Sequence, residues 1–396
     1  MTQTLVIVQY AGDFRETYLR LRSGGAENYY GQRHSVEGVA ALAGPTRRVV
    51  TICCTSSDTY DAELAPGVRA IGVRSGPGGV DEEAVWRMVL RCEATHLVLR
   101  SPMRGLLRRA RAVRMRVLVT VADSFGGRGL RHRWRMRQLV RLLNEPSVEA
   151  VGNHGRASAL ELLTLGVQPQ KVTAWDWPHP RRPHGVGVKQ APMSRRWSLF
   201  FAGTLSESKG VGDLLRAARE LQARGFDFEL AIAGGGEAAD VLRSLGDELG
   251  VADRVQWLGM LPHDAVLRRM TDSDIVVVPS RHDYPEGFPM TLYEALAART
   301  PIVCSDHPMF LRAMVDGRSA MVFSAADPRA LADKVLRLQA EPALYAALSE
   351  ASVAVWESLQ VPVEWLAFVR AWFIDPTEQF QSLLRQGRED LARHAR

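Results

Sequence analysis

DIVVVPSRHDYPEGFPMTLYEALAARTPIVCS, residues 274–305, decides the class of fold. It opens on a continuous apolar run, crosses a Gly/Pro-rich loop, continues as MTLYEALAA and closes on a second apolar run, PIVCS. Apolar runs that are continuous rather than alternating are expected of parallel strands buried on both faces, so the stretch predicts strand, helix, strand. A proline at 289 suits the first helical position, because its missing N–H would have no partner there. The free N–H groups of that first turn and the positive end of the helix dipole then make a site for an anion. Two acids bracket it. Glu286 stands just before the helix, where it is expected as an exposed acid, and Glu294 lies on the following turn, pointing back towards the same end. One anion pocket flanked by two hydroxyl acceptors suits a phosphate attached to sugars on both sides, which is a nucleotide sugar. An ordinary helix start with a surface glutamate has the same spacing.

The pattern repeats outward from this stretch. Apolar runs at 5–9, 48–54, 96–100 and 116–121 read as strands of one α/β layer structure. Runs at 198–203, 228–234, 254–259, 274–280 and 301–305 read as strands of a second, with amphipathic helices such as 211–225 and 263–272 between them. The break is DWPHPRRPHGVGVKQAP, 176–192, whose prolines and glycines continue neither strand nor helix. The expected organisation is an N-terminal domain over 1–180, a linker over 181–196 and a second domain over 197–362. The apolar helix EWLAFVRAWF opens a C-terminal segment, 363–396, that packs back on the first domain. Two doubly wound domains would present the C-terminal ends of their strands to a cleft.

With 396 residues, 46% hydrophobic and 24% charged, two globular domains are the natural expectation. No apolar run approaches the roughly 20 residues of a membrane helix. The chain enters LVIVQY at once, without the basic start and cleavage site of a signal peptide. Four cysteines, two of them adjacent, form neither a disulfide framework nor a zinc spacing, so a reducing cytoplasm fits. Net charge is +6, divided as +12 over residues 1–190 and −6 over the rest, which points to an anionic partner for the first half.

The run PS, then EGFPMTLYEALA, then PIV resembles the E-x(7)-E region of the family 4 retaining glycosyltransferases, which have the GT-B fold. The likeness covers most of the chain and is strongest over 198–335. It implies that Glu286 contacts hydroxyls of the donor sugar and Glu294 the ribose, with Gly287, Phe288, Pro289, Met290 and Thr291 in the donor's shell. FAGTLSESKGVGDLL, 201–215, resembles the family's strand, G-R-L, K-G and helix. That places Gly203 and Thr204 beside the donor and gives Lys209 the developing charge of the leaving diphosphate. The family's arginine is Thr204 here, a departure that removes one phosphate clamp. SGGAENYY, 23–30, resembles the Gly-Gly-Ala-Glu of the family's first domain, where Gly24 and Gly25, before an apparent helix, allow close backbone approach. Gly235 in AGGGE matches a loop near the nucleoside, and Met260 and Leu261 are assigned to the same donor shell.

Where the family often carries a histidine after the strand at 116–121, this chain offers Asp123, which either bonds a sugar hydroxyl or caps the next segment. Asp272-Ser273-Asp274 looks like a metal-binding D-x-D but precedes its strand, at the wrong end, so it reads as a helix end and no metal or other cofactor is expected. The segment from Arg100 to Arg141 holds Asp123 as its only acid. It is either a solvated basic face or a docking face, with Arg104, Arg108, Arg131 and Arg135, for anionic lipid or an anionic acceptor. Nucleic acid is not expected, because no recognition motif or run of interleaved aromatics is present. The resemblance thus implies a hexosyltransferase-type enzyme of polysaccharide or glycolipid synthesis, cytoplasmic or peripheral at the inner membrane face. A nucleotide-sugar epimerase and a non-catalytic nucleotide-sugar-binding protein are the rivals.

Overall fold

The structure is a computed structural model that describes residues 2–10, 12–74, 79–127, 129–192, 196–374 and 378–394. Arg128 of the basic segment, residues 193–195 of the expected linker, and 375–377 and 395–396 of the expected C-terminal helix lie outside them. The chain forms two compact units, one of residues 1–178 and 361–396, the other of residues 179–360.

In the first unit the strands are β1 (Gln3–Gln9), β2 (Arg47–Cys53), β3 (Tyr60–Ala65), β4 (Val68–Gly72), β5 (His96–Leu99), β6 (Arg116–Val121), β7 (Val148–His154) and β8 (Val172–Trp175). They form one sheet in the order β3-β4-β2-β1-β5-β6-β7-β8, parallel except for the edge hairpin β3–β4. The chain winds away from β1 through β2 on one side and returns through β5 on the other. The winding direction therefore reverses between β1 and β5, the place where open α/β sheets hold ligands. Both faces are covered, which is why the runs are continuously apolar. Val6 and Val8 enter the core on one side with Ile52, Leu97 and Leu99. Leu5 and Ile7 enter the other with Val49, Val98 and Leu118.

That second face is closed by the end of the chain. The helix Trp365–Ile374 lays Trp365, Phe368, Val369, Trp372 and Phe373 on it, all buried. Two indoles are fixed by hydrogen bonds: Trp365 Nε1 donates to Thr120 Oγ1 at 3.1 Å and Trp372 Nε1 to Glu149 Oε2 at 3.0 Å. The helix Glu378–His394 adds a buried carboxylate, Asp390, which accepts two bonds from Arg156 at 2.7 and 3.0 Å.

The second unit has β9 (Trp197–Ala202), β10 (Phe228–Ala233), β11 (Val255–Gly259), β12 (Ile275–Val278), β13 (Ile302–Ser305) and β14 (Met321–Phe323). All are parallel, in the order β11-β10-β9-β12-β13-β14, and here the direction reverses between β9 and β12. The stretch before β9 is tied to this unit: Lys189 N–H donates to Ser349 Oγ at 2.8 Å and the Val186 carbonyl accepts from Arg299 at 2.8 Å. Asp274 is consumed at the strand's entrance, where its carboxylate accepts from the N–H and hydroxyl of Ser198 at 2.7 and 2.9 Å. Asp272 ends the helix His263–Asp272. The triplet is thus a helix end.

Candidate functional site

The carboxyl ends of β9 and β12 bring together the two loops that the sequence singled out. Lys209 follows β9 and Glu286 follows β12, and their side chains form an ion pair. Lys209 is 6% exposed and Glu286 9%, which corrects the expectation of an exposed acid. Ser280 Oγ donates to the same Glu286 oxygen at 3.0 Å, and the Lys209 ammonium lies 4.5 Å from the centre of the Tyr284 ring. A charge pair removed from water is costly unless each partner is held in place. Here the surrounding loops hold it.

Four residues that sequence reasoning passed over do the holding. Arg281 clasps Asp213 with two bonds, 2.7 and 2.9 Å, and Glu207 with a third at 3.0 Å. Its N–H also donates to the Ser208 carbonyl at 2.8 Å, so the Lys209 and Glu286 loops are stitched together. The bond to Asp213 raises the Arg281 pKa further above its ordinary value. Asp213 was detectable as an acid at a buried position of the amphipathic helix Val211–Ala223. His307, fully buried, accepts from the Met309 N–H at Nδ1, 3.2 Å, and sits 3.1 Å from the Tyr284 carbonyl through Nε2. Only an imidazole with its proton on Nε2 satisfies both contacts. Burial lowers its pKa, opposed by the Tyr284 bond and the Glu286 charge. The neutral ring therefore fixes the loop that presents Glu286. Ser280 is the fourth.

Glu294 takes a separate partner. It lies in the helix Met290–Ala297 and its Oε1 is 2.6 Å from His263 Nε2, both side chains largely buried. The helix begins at Met290. Pro289 stands outside it with extended backbone, φ −70° and ψ 131°, which corrects its placement as the first helical residue by one position. Thr291 Oγ1 donates to the Ala202 carbonyl at 3.4 Å, joining the helix start to the end of β9. Phe288 packs edge-on against Tyr293, 5.0 Å between ring centres, and Gly287 is buried beside it.

The glycine loops complete the same end of the sheet. A Cβ on Gly210 would strike the Pro279 carbonyl oxygen, and one on Gly234 would strike that of Gly203. Both glycines have positive φ, +76° and +139°, so two loops can cross at backbone contact. Gly203 adjoins the Lys209 stem, and Gly235 adjoins Met260, which is mostly exposed. Leu261 is half-buried and Thr204, where an arginine would have supplied a clamp, is exposed.

Gly24, Gly25 and Asp123 belong to the first unit. The glycines close a helix rather than open one. Gly24, at φ +82°, donates to the Leu21 carbonyl and Gly25 to that of Arg20, at 3.1 and 2.8 Å, the paired bonds of a left-handed C-cap on Phe14–Arg22. The next helix starts only at Gln32. Asp123 follows β6, and its backbone is bracketed by Asn153, which accepts from its N–H at 3.3 Å and donates to its carbonyl at 2.9 Å. Its carboxylate caps nothing among the described residues, and burial pushes its pKa up to about 6.

Known proteins bear on this arrangement. The family profile "Glycosyl transferases group 1" matches residues 189–354. Among curated proteins, the chain is 29% identical over 169 residues to an alpha-D-kanosaminyltransferase of Streptomyces kanamyceticus, covering 41% of this chain and 43% of that one. It is 30% identical over 178 residues to a lipopolysaccharide core biosynthesis mannosyltransferase of Rhizobium leguminosarum bv. viciae, covering 43% and 49%. The chain spans about half the length, or less, of the curated relatives it matches. Among solved structures it resembles sucrose-phosphate synthase from Thermosynechococcus elongatus, with TM-score 0.63, 16% identity and 90% and 94% of the two chains covered. It also resembles Anabaena HepE, solved in complex with UDP and glucose, with TM-score 0.60, 14% identity and 97% and 98% covered. At such identities the likeness is one of fold, and the fold is GT-B, two Rossmann-like units. The curated relatives are glycosyltransferases, and the group 1 profile matches residues 189–354, less than half of the chain.

Proposed function

We propose that this protein is a retaining glycosyltransferase that moves a sugar from a nucleotide diphosphate sugar to an acceptor. The observation that carries the reading is the buried Lys209–Glu286 pair at the reversal point between β9 and β12. Without ligand the two charges neutralise each other. A donor would enter by exchange: its diphosphate draws the Lys209 ammonium, and a sugar hydroxyl donates to the carboxylate so released. As the anomeric C–O bond breaks, negative charge grows on the diphosphate, and Lys209 with the N-terminus of Met290–Ala297 stabilises it more than it stabilises the ground state. The acceptor oxygen bonds to the anomeric carbon on the face being vacated, and its proton passes to the leaving diphosphate. Glu294, set by His263, would hold the ribose. Asp123 is assigned to a sugar hydroxyl, and the reaction is assigned no metal. Anabaena HepE, which this chain resembles in fold, was solved in complex with UDP, and UDP is a natural first nucleotide to test.

The test is a thermal-shift screen with UDP-, GDP-, ADP- and TDP-sugars, followed by turnover with EDTA present. At 100 times its dissociation constant a donor should stabilise the fold by about 2.7 kcal/mol. Consumption of donor only with acceptor is the expected result. Donor isomerised alone would mean an epimerase, and binding without turnover a non-catalytic module.

The acceptor is assigned to the first unit and to an anionic bilayer at the inner face of the membrane. No helix among the described residues is long and apolar enough to cross one. The candidate surface is narrower than the Arg100–Arg141 segment. Arg100 is turned inward, and Arg109, Arg111 and Arg116 are paired with Glu83, Glu145 and Glu149. Arg104 is half-buried, and both it and Arg108 bond Gln138. What remains is Arg114 and the helix Leu130–Leu143, where Arg131, Arg133, Arg135, Arg137 and Arg141 are exposed without an ion pair among the described residues. One turn apart on it, Leu130 and Trp134 are 82% and 60% exposed. Arginines around an exposed indole and leucine are what an interfacial helix presents to acidic headgroups. Vesicles with acidic lipids should bind the protein, less so as salt rises, since exposed charges are screened over about 10 Å at 0.1 M. Changing Arg131 and Arg135 to glutamate should lower binding and spare the donor thermal shift. Equal binding to neutral vesicles would defeat the electrostatic account.

A further inference from the structure

The first unit carries a cation that the reaction outlined above does not use. Arg100 follows β5 and stands level with Gln9, the last residue of β1, because Val8 pairs with Leu99 and the Arg100 N–H donates to the Val8 carbonyl at 3.0 Å. This is the point between β1 and β5 where the winding of the sheet reverses. Its guanidinium lies 4.9 Å from the centre of the Trp365 ring and 5.6 Å from that of Trp177. Its hydrogen bonds, to Gln9 Oε1 at 3.0 Å and Ser35 Oγ at 3.5 Å, both use Nη1. No carboxylate pairs with it among the described residues.

This is an odd setting for a half-buried arginine whose guanidinium is turned inward. Placing an ion out of water is costly unless an opposite charge accompanies it. A cation over an indole recovers only part of that cost, and two neutral acceptors add little more. Burial lowers the Arg100 pKa, with only the Tyr29 phenol acting against it. Six of the segment's other described arginines, Arg114 and the five of the helix Leu130–Leu143, are exposed without an ion pair, and three more find glutamates. Arg100 does neither. The Nε–Nη2 edge, the one that grips a carboxylate or phosphate side-on, has no partner among the described residues. A second cation is close. Arg20 and Arg100 both act on the Tyr29 phenol; Arg20 pairs with Glu16 at 3.6 Å through Nη1 and reaches Gln32 Oε1 at 2.9 Å through Nη2, while its Nε, buried, has no partner. The acid of this loop, Glu27, accepts from the Arg33 N–H at 2.5 Å.

We infer that the crevice at the carboxyl ends of β1 and β5 is an anion site, in which Arg100 receives a carboxylate or phosphate borne by a ligand. Calling that ligand the acceptor rests on the glycosyl-transfer reading; the site itself does not. An acceptor of this kind is an acidic sugar or a phosphorylated polyol or lipid, engaged in the first unit without help from the donor.

Arginine modification by phenylglyoxal, mapped residue by residue by mass spectrometry, tests the inference on the intact protein without donor. Inorganic phosphate and malonate are the two probes. Modification of Arg100 should slow at least threefold with one or both, while Arg131 and Arg135 continue at their own rate. Protection by phosphate alone selects a phosphorylated ligand, and by malonate alone a carboxylate. An Arg100 modified equally fast with and without both anions would overturn the inference. So would an Arg100 that the reagent never reaches, which would make it a sealed structural cation. If Arg100 is protected but the donor screen fails, the anion site stands and only its description as an acceptor site falls.

Discussion

Replacing Glu286 with alanine should lower sugar transfer by about 100- to 1,000-fold, the usual cost of deleting one well-placed hydrogen-bond partner of a transition state. The variant also removes the counter-charge of a lysine that is only 6% exposed, so some stability will go with it. Glu286→Gln keeps the loop filled, because its carbonyl oxygen can still accept from Lys209 and Ser280, while the charge-assisted bond to a sugar hydroxyl becomes a neutral one. It too leaves the Lys209 ammonium without its counter-charge, so a melting temperature and a transfer rate both between those of wild type and alanine are expected of Gln. A folded Glu286→Ala that turns over at the wild-type rate would leave the proposed chemistry without its centre.

Lys209→Ala is expected to act on both the fold and the ligand. It leaves the Glu286 carboxylate buried with Ser280 as its remaining partner, and removing one member of a buried pair costs about 3–5 kcal/mol. Affinity for the nucleoside diphosphate should fall at least tenfold, about 1.4 kcal/mol. The two losses are read separately: stability from unfolding without ligand, affinity from titration of the protein that remains folded. A surface lysine would show neither. Unchanged diphosphate affinity would return Lys209 to a purely structural role.

The strands most open to reading were those buried on both faces. The run at 116–121 coincides with β6, and 5–9, 198–203 and 228–234 fall within two residues of β1, β9 and β10. Those not foreseen are short or interrupted. β14 has three residues and β8 four, β7 carries Glu149, Gly152 and Asn153, and β3–β4 is an edge hairpin with a half-exposed strand. The E-x(7)-E spacing singled out the loop and helix that carry Glu286 and Glu294, and the structure sets Lys209 beside Glu286. Their relation was not legible, because an ion pair between residues 77 positions apart leaves no local trace. For the same reason Arg281, placed by Asp213 from another helix, read as an ordinary loop residue. Glycines misled in one instance. Gly24 and Gly25 have the composition of a ligand loop and the hydrogen bonds of a helix cap.

The closing of the first sheet by the helix Trp365–Ile374 has a consequence for the order in which the chain becomes a protein. Residues 179–360 are contiguous, so everything their unit needs emerges from the ribosome in one piece. The first unit begins earlier and finishes later. Until residues 361–374 appear, the face that Trp365, Phe368 and Trp372 will cover stays open along Leu5, Ile7, Val98 and Leu118. Domains usually fold N-terminal first during synthesis; here the unit made second is the first that can be complete. A nascent chain paused near residue 360 would display a finished second unit and a greasy, half-built first one, a natural client for chaperones.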